Sequence, residues 1–298
     1  MNLALRSVLT AAVSLFTMIP LYAEARIDAS SQEQQRSRPR SVRPNITFED
    51  TVGPQLVIPV VGSLQGNNGT FFKSAVTIMN FRGGGTGTVQ PQRIKVEFLE
   101  RGVNSGNQTP TFTVLNQLGV YFDDFLAGFF SPAKSGLGAV IITAVDAQGN
   151  LDPNGLLDAV SRVYTAQATS TGCPQPGGSS SQSLSSFPID DLEAGVETGY
   201  IYGLRQDASF RTNLGIVNHD TAKHTFNVRI LKFNGQPEVN FTIDVEGKSM
   251  SQVAIPAGDY GLSMYVEITT EATGFFFNAY GTSVDNATGD GWVFKANY

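Results

Sequence analysis

Cysteine is almost absent. The 298-residue chain holds one, Cys173, so no internal disulfide can close and the fold must be held by apolar burial. Charge is scarce as well. Asp, Glu, Lys and Arg make up 15% of residues, against roughly 25% in an average soluble domain, which excludes a helical bundle or coiled coil. Basic residues are outnumbered, 20 against 26 acidic, for a formal net charge of −6. That balance argues against the basic field with which proteins take nucleic acid. Set against these deficits are 31 Gly, 20 Phe and 9 Tyr, enough apolar surface to exclude disorder over the whole chain.

The chain opens with an address. Arg6 precedes an apolar run from Ser7 to Leu21, and Ala23-Glu24-Ala25 supplies small residues where a signal peptidase would cut. The run is short of the roughly 20 residues that span a bilayer as a helix, so residues 1–25 read as a signal peptide and no transmembrane span is expected. Residues 26–50 carry Arg26, Arg36, Arg38, Arg40 and Arg43 among Ser and Gln, without apolar periodicity, and read as a disordered polar tail. The remaining residues, 51–298, hold 14 basic and 21 acidic side chains, a net −7.

An internal repeat organises this acidic part. Phe72-Lys73-Ser74-Ala75-Val76-Thr77-Ile78-Met79-Asn80 aligns with Phe210-Arg211-Thr212-Asn213-Leu214-Gly215-Ile216-Val217-Asn218. Each copy leads into a strictly alternating stretch, Ile94, Val96 and Phe98 in the first and Phe226, Val228 and Ile230 in the second. Such a period of two places one face on a core and the other in water, as antiparallel sheets do. Val239 to Val245 and Leu262 to Ile268 continue the pattern, and Phe112 and Val114 begin another strand. Ala139 to Val145 is a continuous apolar run, which suits a more buried strand. Phe122, Phe125, Leu126 and Phe129 follow helical spacing and predict a short helical turn, with Asp123 as its cap. These signals predict an all-β protein of two tandem immunoglobulin-like β-sandwich domains, residues 51–170 and 187–298, joined by a Pro/Gly/Ser linker at 171–186. Cys173 lies in that linker and reads as an incidental thiol.

The strings Val57-Ile58-Pro59-Val60-Val61-Gly62 and Gly66-Asn67-Asn68-Gly69-Thr70-Phe71-Phe72-Lys73-Ser74 resemble uncharacterised secreted bacterial proteins with tandem immunoglobulin-like modules. The resemblance continues in Tyr121-Phe122-Asp123-Asp124-Phe125-Leu126, Ser161-Arg162-Val163-Tyr164, Gly203-Leu204-Arg205-Gln206-Asp207 and Val284-Asp285-Asn286-Ala287-Thr288-Gly289-Asp290. It implies a modular envelope or extracellular protein and supplies no catalytic residue.

Candidate chemistry is thin. His219, Asp220 and His224 sit between two strands, where they read as turn residues rather than a metal or triad set. Asn150-Leu151-Asp152-Pro153-Asn154-Gly155 resembles the start of a calcium loop, with Asp146 and Asp158 as further oxygens, but Ser161 stands where such a loop carries a bidentate acid. Calcium is therefore a weak candidate at Asp146, Asn150, Asp152, Asn154 and Asp158. The carboxylate pairs Glu49-Asp50, Asp123-Asp124 and Asp190-Asp191 point to opposite faces of a strand and cannot flank one bond. Consecutive aromatics offer contact surfaces, with Phe71, Phe130, Phe276 and Trp292 as candidates. The resulting expectation is an exported, non-enzymatic structural, adhesive or binding protein whose partner is a protein or glycan at the cell surface. A carbohydrate-binding or hydrolase-accessory protein is the alternative, and an outer-membrane β-barrel the second.

Overall fold

Thr, Ser, Asn and Gly alternate with Val, Ile and Phe through most of the chain, and the alternation forms strands. The computed structural model describes residues 52–66, 70–83, 88–166, 179–189, 198–232, 239–272 and 276–298. The expected signal peptide and tail, Glu49-Asp50, Cys173, Asp190-Asp191 and Phe275 lie outside them. No described helix is long and apolar enough to cross a membrane.

The first half runs β1 (Gln55–Gln65), β2 (Phe71–Asn80), β3 (Gln92–Glu100), β4 (Thr111–Leu115), β5 (Gly119–Phe122), helix α1 (Phe125–Phe129), β6 (Gly136–Val145), β7 (Leu157–Ala166), β8 (Ser179–Ser185) and the short β9 (Phe187–Pro188). The second half runs β10 (Thr198–Gln206), β11 (Phe210–Asn218), β12 (His224–Lys232), β13 (Val239–Val245), β14 (Ser249–Ala254), β15 (Gly261–Thr270), β16 (Phe277–Asp285) and β17 (Gly291–Lys295). All named strands pair antiparallel.

The duplication is topological as well as sequential. In the first half one layer is ordered β4-β3-β6-β1, and β1 turns through the β1–β2 hairpin into the other layer, β5-β2-β7-β8. The second half repeats both orders, as β13-β12-β15-β10 and β14-β11-β16-β17. In each half the two layers enclose one core. Leu56, Val76, Ile94, Val96 and Ile142 meet in the first, and Ile201, Leu214, Phe226, Val228 and Val266 in the second. The sheets end in edge strands, and the described strands form no closed barrel.

Equivalent details recur. Pro59 sits where the β1–β6 register slips between Ile58 and Val61, and Gly203, at φ +85°, sits where β10–β15 slips between Tyr202 and Leu204. A bulge is where a strand tolerates Pro and where a positive φ calls for Gly. Asn80 ends β2 with its amide donating to the carbonyls of Gln90 and Leu115 and its Oδ1 accepting from the Arg82 N–H. Asn218 ends β11 in the same way. Its amide donates to Ala222, Val245 and Glu246, and its Oδ1 accepts from the Asp220 N–H.

Three expectations are corrected. Residues 179–185, read as linker, form strand β8, which pairs with β7 along seven positions and completes the first half as β17 completes the second. Its Ser-rich composition hides the strand, but Leu184 is buried and the Ser180 hydroxyl donates to the Gly289 carbonyl at 2.6 Å. Helix α1 forms as expected, yet Asp124 caps it, accepting from the Ala127 N–H. In β4 two of the apolar residues point outward: Phe112 and Val114 are exposed, with the Arg93 guanidinium 4.9 Å over the Phe112 ring, while Leu115 is buried.

A third apolar layer joins the halves. The outer face of β1, β3 and β6 (Val57, Leu99, Ala139, Ile141) packs on the outer face of β11, β14 and β16 (Val217, Met250, Tyr280). β1 and β6 are thus buried on both faces, which accounts for the unbroken apolar run at Ala139–Val145. Hydrogen bonds border this seam, from the Ser249 hydroxyl to the Glu100 carbonyl at 2.6 Å and from Lys295 Nζ to the Ser186 carbonyl at 2.6 Å.

Candidate functional site

Stacking the halves leaves two outer sheet faces that the seam does not use. The first is the outer face of β10-β15-β12-β13. Ile201, Met264, Val266, Val228 and Ile230 point into the second core, so Tyr200, Tyr202, Tyr265, Glu267 and Arg229 point away from it. The Tyr265 ring lies 5.6 Å from Tyr200 and 5.8 Å from Tyr202, with interplanar angles of 30° and 22°. Beside these near-parallel rings Arg229 holds Glu267 at 2.8 Å. Tyr202 is 48% exposed. Burial and the neighbouring Tyr200 and Glu267 raise the Tyr265 phenol above its ordinary pKa.

The second face belongs to β5-β2-β7-β8. Lys73, Thr77, Tyr121, Val160, Arg162 and Tyr164 share it, because Val76, Ile78, Phe122 and Ala159 face the first core. Asp123 is tied here instead of to the helix. It accepts from the Tyr164 hydroxyl at 2.7 Å and from the Tyr121 hydroxyl at 3.3 Å, with Lys73 at 3.8 Å. These bonds hold the Asp123 carboxyl below its usual range, while burial and Asp123 push the Tyr164 phenol up to about 12. The Arg162 guanidinium lies 5.3 Å over the Tyr164 ring.

The calcium candidates are engaged in the hydrogen bonds and ion pairs of their own turns. Asp152 is paired with the Arg82 guanidinium, whose other contact is Gln92 Oε1 at 3.0 Å. A cation already occupies that carboxylate. Asp146 Oδ1 accepts from the backbone N–H groups of Gln148 and Asn150, both at 2.9 Å, closing its own turn. Asn154 donates its N–H to Asp152, and Asp158 accepts from the Ala159 N–H at the start of β7. Ser161 is buried and donates to the Val60 carbonyl. Among the described residues no three His, Cys, Asp or Glu side chains gather as a metal site would need.

The contact aromatics divide. Phe71 is exposed at the start of β2, and Phe276 is half-buried, its carbonyl accepting from the His219 N–H. Phe130 is corrected to a core residue, 5% exposed and packed edge-on against Phe125 and Phe129. Trp292 closes the second sandwich, its indole N–H donating to the Gly203 carbonyl at 3.0 Å and its ring 5.4 Å from Phe210. The tyrosine row was missed as a group. Tyr202 and Tyr265 are 63 residues apart in sequence, and only the β10–β15 register sets them opposite each other.

The histidines serve structure. His224 Nε2 lies 2.7 Å from Asp220 Oδ2 within the turn. His219 is buried with Nε2 2.6 Å from Asn278 Oδ1, and burial lowers its pKa to about 4, helped by the Lys248 charge. In the unfolded chain a histidine titrates near 6.5. The unfolded state therefore takes up a proton below pH 6.5 that the folded state refuses until about pH 4. Stability from this group is complete above pH 6.5 and is lost as pH falls through that window, by about 3 kcal/mol at its lower end. Urea midpoints measured from pH 7 to pH 4 should show this slope, and His219→Gln should flatten it. An unchanged slope would place the acid sensitivity elsewhere.

The arrangement is an all-β chain of layered antiparallel sheets, with tyrosines, arginines and carboxylates on the two sheet faces outside the seam. No family model, curated protein or solved structure matches the chain.

Proposed function

We propose that this chain is an exported, non-catalytic structural, adhesive or binding protein of the cell envelope or extracellular space, built from two immunoglobulin-like modules. The observation that carries the reading is the pair of outward sheet faces, each set with tyrosines and an arginine, the residue types enriched in protein contact surfaces. The titratable groups near turns fit the same reading. Arg82 neutralises Asp152, His224 holds Asp220, and Arg205 holds Asp207 at 2.6 Å, so each is engaged in maintaining a loop. The apolar run from Ser7 to Leu21 and the small residues of Ala23-Glu24-Ala25 support the export part of this reading.

Cell fractionation of a bacterial host expressing the full chain tests it. The expected result is a processed chain beginning at Arg26 in the envelope or medium. A chain that keeps Met1 and stays in the cytosol would sink the reading.

A further inference from the structure

The seam between the halves joins unlike faces of like modules. The first half contributes the outer face of its β4-β3-β6-β1 layer, extended at its border by Leu184 of β8 and Phe187 of β9, and the second half the outer face of its β14-β11-β16-β17 layer. The faces left over are the complementary pair, β5-β2-β7-β8 at one end of the stack and β10-β15-β12-β13 at the other. By the repeat, each is the counterpart of a face that already takes part in the seam. We propose that the partner of these faces is a second copy of this chain, docked head to tail, so that the β10-β15-β12-β13 face of one copy meets the β5-β2-β7-β8 face of the next.

Register makes the correspondence residue by residue. In the seam, Leu99 lies opposite Ala139, and Glu97 opposite Ile141, which in turn faces Val57. In the second half the matching rows are Leu231 opposite Tyr265, which faces Tyr202, and Arg229 opposite Glu267, which faces Tyr200. On the other side of the seam the row is Gln252, Gly215 and Tyr280. Its counterpart in the first half is Tyr121, Thr77 and Val160.

The outward rows keep the place of the seam rows but differ in chemistry. Tyr265 stands where the seam has Ala139, Glu267 where it has Ile141, and Tyr121 where it has Gln252. Tyrosine presents a large apolar ring together with a hydroxyl that tolerates water. These faces are therefore suited to a contact that forms and parts, whereas the seam keeps its one tyrosine, Tyr280, fully buried. Val160, 40% exposed, keeps an apolar centre on the β5-β2-β7-β8 face. A contact between unlike faces has no two-fold axis and leaves one of each face free, so it propagates into a ring or filament rather than stopping at a dimer.

Sedimentation of the full chain and two variants tests this. Tyr202→Asp alters one face and Tyr121→Asp the other, both at exposed positions whose rings are outside the cores. The weight-average mass of the unmodified chain should climb past the dimer as concentration rises. Each variant alone should remain a monomer or associate with a constant at least tenfold weaker, because every contact then uses one altered face. An equimolar mixture should recover the unmodified affinity, because each variant keeps one intact face, and should stop at a dimer. A chain that is monomeric at every concentration overturns the proposal. So does association that one variant abolishes and the other leaves untouched, which would mean a face pairing with itself. So does retention of oligosaccharide by the Tyr202 face without any self-association. None of these outcomes depends on export, so failure here leaves the fractionation result standing.

Discussion

Replacing Tyr280 with alanine should lower the unfolding free energy by about 3–5 kcal/mol, the usual cost of deleting a buried aromatic side chain. Tyr280 is fully buried at the middle of the seam, and its phenol lies directly over Gly215 on the paired strand β11. A side chain at Gly215 would collide with that ring, so glycine is required there by the close approach rather than by backbone conformation. The Tyr280 hydroxyl donates to Gln252 Oε1 at 2.7 Å, and burial keeps the phenol protonated far above its ordinary range. Tyr280→Phe should cost only about 1 kcal/mol, because it removes one net hydrogen bond and leaves the ring. Denaturant titration of both variants separates the two contributions. A loss under about 1.5 kcal/mol for Tyr280→Ala would mean that the seam repacks and that the halves are joined mainly by their bordering hydrogen bonds.

The second large effect is expected at the repeated asparagine. Asn218 is fully buried, and its amide serves three carbonyls from the β11–β12 turn and the end of β13, while its Oδ1 takes the Asp220 N–H. Asn218→Ala leaves those groups without their partner and should cost about 2–3 kcal/mol. Asn218→Asp should cost more, despite the near-identical shape, because a carboxylate oxygen would replace the donor and face carbonyl oxygens. Asn80→Ala should behave likewise through Gln90 and Leu115. Thermal midpoints of the three variants check the ranking. If Asn218→Asp proved milder than Asn218→Ala, water rather than the side chain would be satisfying the carbonyls.

Much of the fold was legible because strand faces repeat with a period of two. Ile94, Val96 and Phe98, and Phe226, Val228 and Ile230, face their cores as the alternation requires. The helical spacing of Phe125 and Phe129 held too, since the two rings stack at 5.0 Å. Strand β8 was not legible because Ser and Gln dominate it, with Leu184 its one apolar residue, and it is held by pairing to β7 and by the burial of that leucine. Phe112 and Val114 alternate like core residues, but β4 is an edge strand and turns them outward. The run at Ala139–Val145 signalled a more buried strand, and the structure buries it on both faces. Nothing in that run could say that the second covering layer would come from the other copy of the repeat.

The grouping of aromatics lay further out of reach. Tyr202, Tyr260, Tyr265, Tyr280 and Trp292 look alike in sequence, but three of them are structural. Tyr260 is buried with its hydroxyl donating to the Pro256 carbonyl at 2.9 Å, Tyr280 fills the seam, and Trp292 clamps Gly203. Only cross-strand register separates these from the outward-facing pair Tyr202 and Tyr265, and register depends on turns and bulges that alternation does not encode.

Order of synthesis gives the seam a further meaning. Strands β1 to β9 leave the ribosome before any strand of the second half. The patch of Val57, Leu99, Ala139 and Ile141 is therefore complete, and uncovered, while its cover is still being made. A nascent first half in that condition is a sticky intermediate, prone to meet another such half before its own continuation arrives. Holding the chain unfolded until both copies are present would remove that hazard.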